Sequence, residues 1–304
     1  MPELVIVGGG AAGLTAAIYA RRAGLDFVVL EQDGIGGGQI QTTDRVENYP
    51  GLYGLDGMDL AEKLLEHCRA LGIELQCAMV LSAARTDDGF LLTADTGTLQ
   101  TRALIYAAGT VHRTLDLPEA AEFAGRGLSY CAACDGAFFG GEDVAVVGGG
   151  DTAVSEALYL SRICRTVHLL VRRDRLRAAA LLQERLQAAE NILLHPLTRV
   201  LQLQGEDQLQ AVRVLTAGEE RTLPVSGLFV AIGTTPCTQP LAALGVCDAD
   251  GLVTADESGR TAVPGLFVAG DLRRKPLRQL LTAAADGANA AESARAWLEG
   301  GTQG

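Results

Sequence analysis

Residues 4–31 read LVIVGGGAAGLTAAIYARRAGLDFVVLE, and this stretch decides the fold. A short apolar run, Leu4–Val7, enters a cluster of glycines. A segment with small residues on one helical face follows, and a second apolar run ends at Glu31. Apolar run, glycine turn, helix and apolar run make a βαβ unit, whose parallel strands are buried on both faces. The same order recurs at residues 144–171, VAVVGGGDTAVSEALYLSRICRTVHLLV. At a constant offset of 140 residues the glycines coincide, as do Ala17 with Ala157, Tyr19 with Tyr159 and Arg22 with Arg162. A βαβ unit written twice predicts two domains of one architecture.

The glycine turns carry specific chemistry. Gly8-x-Gly10-x-x-Gly13 follows a predicted strand and opens a predicted helix, the context a dinucleotide fingerprint requires. The first glycine allows the tight turn, the second admits a pyrophosphate, and the third packs helix on strand. The helix N-terminus then presents free N–H groups and the positive end of its dipole. The second copy, Gly148-x-Gly150-x-x-Ala153, is a variant of the same fingerprint, and Asp151 and Thr152 lie inside it.

The copies diverge where a ribose would sit. The first ends its second strand on Glu31, an acid placed to accept from both hydroxyls of an unphosphorylated ribose, as in NAD or FAD. The second has Val171 there, followed by Arg172, Arg173, Asp174, Arg175, Leu176 and Arg177, and six of the 23 arginines fall within residues 162–177. One reading is a solvated basic segment. The other is a guanidinium clamp on a 2′-phosphate, which planar bidentate donors suit. One domain thus reads as built for FAD and the other for NADPH.

Between the two turns lies Tyr130-Cys131-Ala132-Ala133-Cys134-Asp135-Gly136. A C-x-x-C pair serves half a zinc site, two buried thiols or a redox-active disulfide. No second C-x-x-C accompanies it, and His112 and His168 offer no ligand spacing, so no metal is expected. A redox disulfide opens and closes by thiolate attack, and Asp135 stands beside it as a proton donor and acceptor. The other cysteines, at 68, 77, 164, 237 and 247, are expected to be buried small hydrophobes.

Composition bounds the class. The chain of 304 residues is 48% hydrophobic, which excludes disorder. No run approaches the roughly 18 apolar residues of a membrane helix. A net charge of −12 argues against nucleic acid as a partner. Met1-Pro2-Glu3 runs directly into the apolar strand with no basic region, so a cytoplasmic location is expected.

In combination and order, GGGAAG, GGQIQTTDRVENYPG at 37–51, CAACDG, GGGDTA, VRRDRLR and GLFVAGD with LRQ resemble the low-molecular-weight bacterial thioredoxin reductases over nearly the whole chain. The resemblance implies an α/β fold of two Rossmann-like, three-layer dinucleotide-binding domains, the second inserted into the first. The expected division is 1–115 and 238–304 for FAD, and 116–237 for NADPH and the disulfide. It further implies a homodimer that passes electrons from NADPH through FAD and Cys131–Cys134 to thioredoxin or a thioredoxin-like protein.

Carried over residue by residue, it sets Gly8, Gly10, Gly13, Glu31, Gly37, Gly38, Gln39 and Asn48 around FAD. Asp271 would bind the ribityl chain, and Arg278, Gln279 and Leu280 would lie beside the isoalloxazine. Gly148, Gly150, Asp151, Thr152, Arg172, Arg173 and Arg177 would hold NADPH. Val171 replaces the histidine of the family's His-Arg-Arg run, and Ala108 and Leu280 stand where threonine and alanine are common. Cys134 would face the flavin, Cys131 attack the partner and Asp135 handle the proton. The final helix is expected over residues 283–297. The inserted domain is expected to turn about connections near 114–118 and 235–240. A reductase of another small disulfide or peroxidase partner, a flavin dithiol oxidase and a redox sensor use overlapping residues and remain alternatives.

Overall fold

The computed structural model describes residues 1–43 and 45–300. The chain forms two compact units, Met1–Val111 with Thr235–Gly304, and His112–Thr234. The second is an insertion in the first. The sequence reading divided the chain at 115/116 and 237/238, a few residues later. Backbone hydrogen bonds account for the difference. Arg113 N donates to Gly233 O at 2.9 Å, and Cys237 N donates to Gly109 O at 3.0 Å. The chain passes between the units through the short strands Thr110–His112 and Thr234–Pro236, which pair as a two-stranded sheet.

In the first unit a five-stranded parallel sheet runs in the order Leu266–Val268, Ala103–Tyr106, Leu4–Val7, Phe27–Glu31, Leu75–Cys77. Leu4–Val7 lies at its centre and is buried along its whole length. Side chains alternate across a strand, so one apolar run feeds two cores. Leu4 and Ile6 meet Leu14, Ile105, Ala290 and Ala294 on the helical face. Val5 and Val7 meet Phe90, Leu92 and Leu104 on the other, which the antiparallel strands Val80–Thr86, Gly89–Ala94 and Gly97–Thr101 cover. Each such side chain contributes about 1.5–3 kcal/mol by leaving water.

The second unit repeats the plan. Its parallel sheet runs Ile192–His195, Thr166–Leu170, Asp143–Val147, Gly227–Val230, Leu128–Ser129. Val144 and Val146 face the helix Asp151–Leu160, while Ala145 faces the layer that holds Val212 and Val214 from the antiparallel strands Thr198–Gly205, Leu209–Thr216 and Glu219–Pro224. Two three-layer α/β units, each centred on a glycine turn, are therefore present.

Two expectations need correction. The last helix runs Leu280–Leu298 rather than 283–297, because Gln279 caps it: Gln279 N donates to Thr282 Oγ1 at 3.1 Å, and the Gln279 side chain accepts in return. Of the five scattered cysteines, Cys68 and Cys164 are buried and Cys237 and Cys247 half-buried, but Cys77 is exposed. Cys77 ends the strand at the sheet's edge, where no further strand covers it. No described helix is long and apolar enough to cross a membrane.

Candidate active site

In the second unit Cys131 and Cys134 form a disulfide, with their Cα atoms 5.4 Å apart. The pair sits on a one-turn helix, Ala132–Asp135, which Cys131 caps: its Sγ accepts from Cys134 N at 3.1 Å. Asp135 is held in place from below. Ser129, the last residue of an edge strand, donates from Oγ to Asp135 Oδ2 at 2.6 Å and accepts from Cys131 N at 3.1 Å. One hydroxyl thus links the carboxylate to the backbone of the first cysteine. Phe138, four residues beyond Cys134, is 83% exposed.

A second carboxyl reaches the backbone of the redox helix. Glu156, on the helix Asp151–Leu160, accepts from the backbone N–H of Ala132, between the two cysteines. Its Oε2 is shielded from solvent and has no hydrogen-bond partner, and burial pushes the carboxyl up to about 7.

The second glycine turn lies in the same unit. A Cβ on Gly148, at φ +150°, would run into the Ala231 carbonyl, whereas a Cβ on Gly150, the N-cap of Asp151–Leu160, would meet nothing within 4 Å. Open space therefore stands at the helix N-terminus. Arg177 N donates to Gly149 O at 2.7 Å, and Asp151 Oδ1 accepts from Ala179 N at 2.8 Å, which draws the arginine loop onto the turn. Thr152 is exposed at the start of the helix. Arg172, Arg173 and Arg177 are exposed, and among the described residues none makes an ion pair. Their guanidinium donors are unspent.

The first unit has the same opening over Gly10 at the N-cap of Ala11–Arg22. Its neighbours are crowded: a Cβ on Gly8, at φ +107°, would meet the Ala107 carbonyl, and one on Gly13 the Gly8 carbonyl. Glu31 accepts from Gly9 N and, at 2.9 Å, from Gln32 N. Gly37 N donates to Gly9 O at 2.8 Å, and a Cβ on Gly38 would lie 3.2 Å from Gly10 Cα. Gln39 donates to Thr110 Oγ1 at 2.7 Å. Asn48 Nδ2 donates to Gln279 Oε1 at 2.8 Å, joining two expected site residues from opposite ends of the chain.

Asp271 sits in a buried ionic cluster. Lys275 Nζ lies 3.4 Å from Asp271 Oδ1 and 2.8 Å from Asp286 Oδ2; Asp286 also accepts from Gly270 N and stands 3.5 Å from Arg273. Asp271 Oδ1 is shielded from solvent and has no closer donor than Lys275, and burial raises its carboxyl despite Lys275 and Arg278. Arg278 is exposed, and Leu280 opens the last helix.

Ser129, Thr110, Glu156, Lys275 and Asp286 did not stand out in the sequence. A signal existed for one of them: Lys275 is one of only two lysines in the chain.

Residues 2–288 match the family model described as pyridine nucleotide-disulphide oxidoreductase. The chain belongs to that family. Among members, a thioredoxin reductase of Listeria innocua is 39% identical over 98% of this chain and 94% of its own. An Arabidopsis thaliana protein named NADPH-dependent thioredoxin reductase 3 is 43% identical over 97% of this chain, which spans 58% of that longer protein. A crystal structure of Lactococcus lactis thioredoxin reductase superposes with a TM-score of 0.95 at 37% identity, covering 99% of this chain and all of that one.

Proposed function

We propose that this family member is a thioredoxin reductase that takes electrons from NADPH through FAD to the Cys131–Cys134 disulfide. The observation that carries the reading is the disulfide itself, closed on the unit that holds the arginine-flanked glycine turn. The residues fit both cofactors. FAD would find the opening over Gly10, an acid at Glu31 for its ribose, and at Asp271 Oδ1 a shielded acceptor, beside the Lys275 ammonium, for a hydroxyl. NADPH finds the opening over Gly150 and three unspent guanidinium groups for its 2′-phosphate. A flavin dithiol oxidase would have no use for those arginines.

Bound FAD supplies two-electron transfer between the nicotinamide and the disulfide. The protein's own part begins at Cys131. As helix cap, its sulfur accepts the Cys134 N–H, which fixes the sulfur at the start of the redox turn. Cys131 attacks thioredoxin's disulfide, and Cys134 resolves the mixed disulfide. Asp135, fixed by Ser129, takes the proton from the attacking thiol and returns it to the leaving thiolate. Exposed Phe138 offers thioredoxin an apolar contact beside the pair. The homodimer and the cytoplasmic location belong to this reading through the family resemblance.

The test uses the FAD-loaded protein. Stoichiometric NADPH should bleach the flavin anaerobically in the parent and in Cys131→Ser and Cys134→Ser, while only the parent reduces thioredoxin. Thioredoxin reduction by either serine variant would overturn the reading.

A further inference from the structure

Glu156 is a titratable group in direct contact with the redox helix, yet the mechanism above does not use it. Its carboxyl receives the N–H of Ala132, the residue that follows Cys131, and its Oε2 has neither solvent nor donor. The contact is built by packing. A Cβ on Gly136, just after the redox helix, would crowd Tyr159 and Leu160 of the helix that carries Glu156. That closeness sets the helix of Glu156 against the redox helix, where its carboxyl reaches the backbone between the two cysteines.

We propose that Glu156 is a proton-coupled positioning residue of the disulfide, protonated when a thiolate forms at the cysteine pair and ionised when the disulfide closes. The inference rests on the reading that Cys131 and Cys134 cycle between disulfide and dithiol.

The physical argument is one of charge. A thiolate generated near a carboxylate whose oxygen is shielded from solvent is a like-charge pair, and protonating one of the two relieves it. The balance is explicit. Without Glu156, the disulfide takes two electrons and one proton to give one thiol and one thiolate. With it, two electrons and two protons give thiol, thiolate and a neutral carboxyl, the electrons coming from the reduced flavin or an added dithiol.

Other charges near Glu156 do not compete for this role. The elements packed on its helix carry Asp135 on the redox helix, Glu184 and Arg185 on Ala180–Ala188, Asp143 on Asp143–Val147 and His168 on Thr166–Leu170. Asp143 is paired with Arg165, and His168 with His195. None perturbs Glu156, whose titration is set by burial and by the Ala132 N–H alone. In the disulfide form the carboxyl titrates at about 7; with a thiolate present it titrates higher. The extra proton is therefore taken up above about pH 7, and below that Glu156 is neutral in both states.

The experiment equilibrates the FAD-loaded protein with dithiothreitol buffers across the pH range and counts thiols by alkylation and mass spectrometry of the peptide bearing both cysteines. Glu156→Gln keeps an acceptor for Ala132 but cannot ionise. The parent-minus-variant difference in midpoint potential should be flat below about pH 7. Above it, the difference should become more negative by up to about 30 mV per pH unit, one extra proton on a two-electron couple. Identical pH profiles would overturn the role of Glu156 while leaving the disulfide reading intact; a pair that dithiothreitol cannot open would overturn both. Should Glu156→Gln fail to fold, the parent decides alone. Its reduced-minus-oxidised infrared spectrum at pH 8 must gain a protonated-carboxyl band that Asp135→Asn retains, and a spectrum without that band overturns the proposal.

Discussion

Ser129 donates to Asp135 at 2.6 Å and at the same time receives the backbone N–H of Cys131. The hydroxyl therefore fixes the Asp135 carboxyl relative to the first cysteine. Ser129→Ala should lower thioredoxin turnover about tenfold, the worth of one hydrogen bond of roughly 1.4 kcal/mol. Stopped-flow reduction of the flavin by NADPH should be unchanged. Equal losses in both half-reactions would show that the serine serves the fold and not the proton.

Gly10 and Gly13 separate ligand binding from folding. A Cβ at Gly10 enters open space, and at φ −79° the backbone accepts alanine. Gly10→Ala should melt like the parent when both are stripped of flavin, yet bind FAD at least about tenfold more weakly, a loss of 1.4 kcal/mol. Gly13→Ala drives a methyl into the Gly8 carbonyl and should destabilise the protein with or without flavin. Thermal melts of the apoprotein and flavin fluorescence distinguish the two outcomes.

The unspent guanidinium groups predict coenzyme choice. Arg172→Ala and Arg173→Ala should raise KM for NADPH and leave NADH nearly unaffected. Each charge-assisted contact is worth roughly 1.5–3 kcal/mol, or about 10- to 150-fold. Steady-state kinetics with both coenzymes checks this, and parallel losses would remove the 2′-phosphate as the group being read.

Lys275 neutralises buried Asp286 and half-buried Asp271, so Lys275→Met should cost about 3–5 kcal/mol at neutral pH, most of it from Asp286. Asp271 already has its carboxyl raised by burial. Loss of the ammonium raises it further, so the variant fold binds more protons than the unfolded chain, and its deficit shrinks as pH falls. Urea unfolding at neutral and mildly acidic pH measures the trend; a deficit that grows on acidification would contradict it.

What could be read from the sequence was whatever local chemistry dictates. The glycine turns at residues 8–13 and 148–153 and their apolar strands declared two α/β units, because strand period and turn geometry are properties of adjacent residues. The Cys131–Cys134 pair was legible for the same reason. Ser129 and Glu156 were not. Ser129 gains its meaning from a turn that brings Asp135, six residues on, under its hydroxyl, and Glu156 from the Ala132 N–H of another helix. Asp286 reads as a lone acid in an alanine-rich helix until Lys275, Arg273 and Gly270 converge on it. Cys77 was misjudged because the edge of a sheet has no signature in four or five residues of sequence.

The last helix touches the first through Gly287, where a side chain would strike the Ala12 carbonyl and the Ala16 nitrogen. Ala12 belongs to the opening turn of the helix that stands over the Gly10 space. A residue in the chain's closing segment thus governs the placement of its opening motif. In a colour screen of random variants, enlarging Gly287 would read as bleached protein, indistinguishable by eye from damage to the nucleotide turn itself. Inheritance of the yellow pigment is here tied to the width of one interhelical seam.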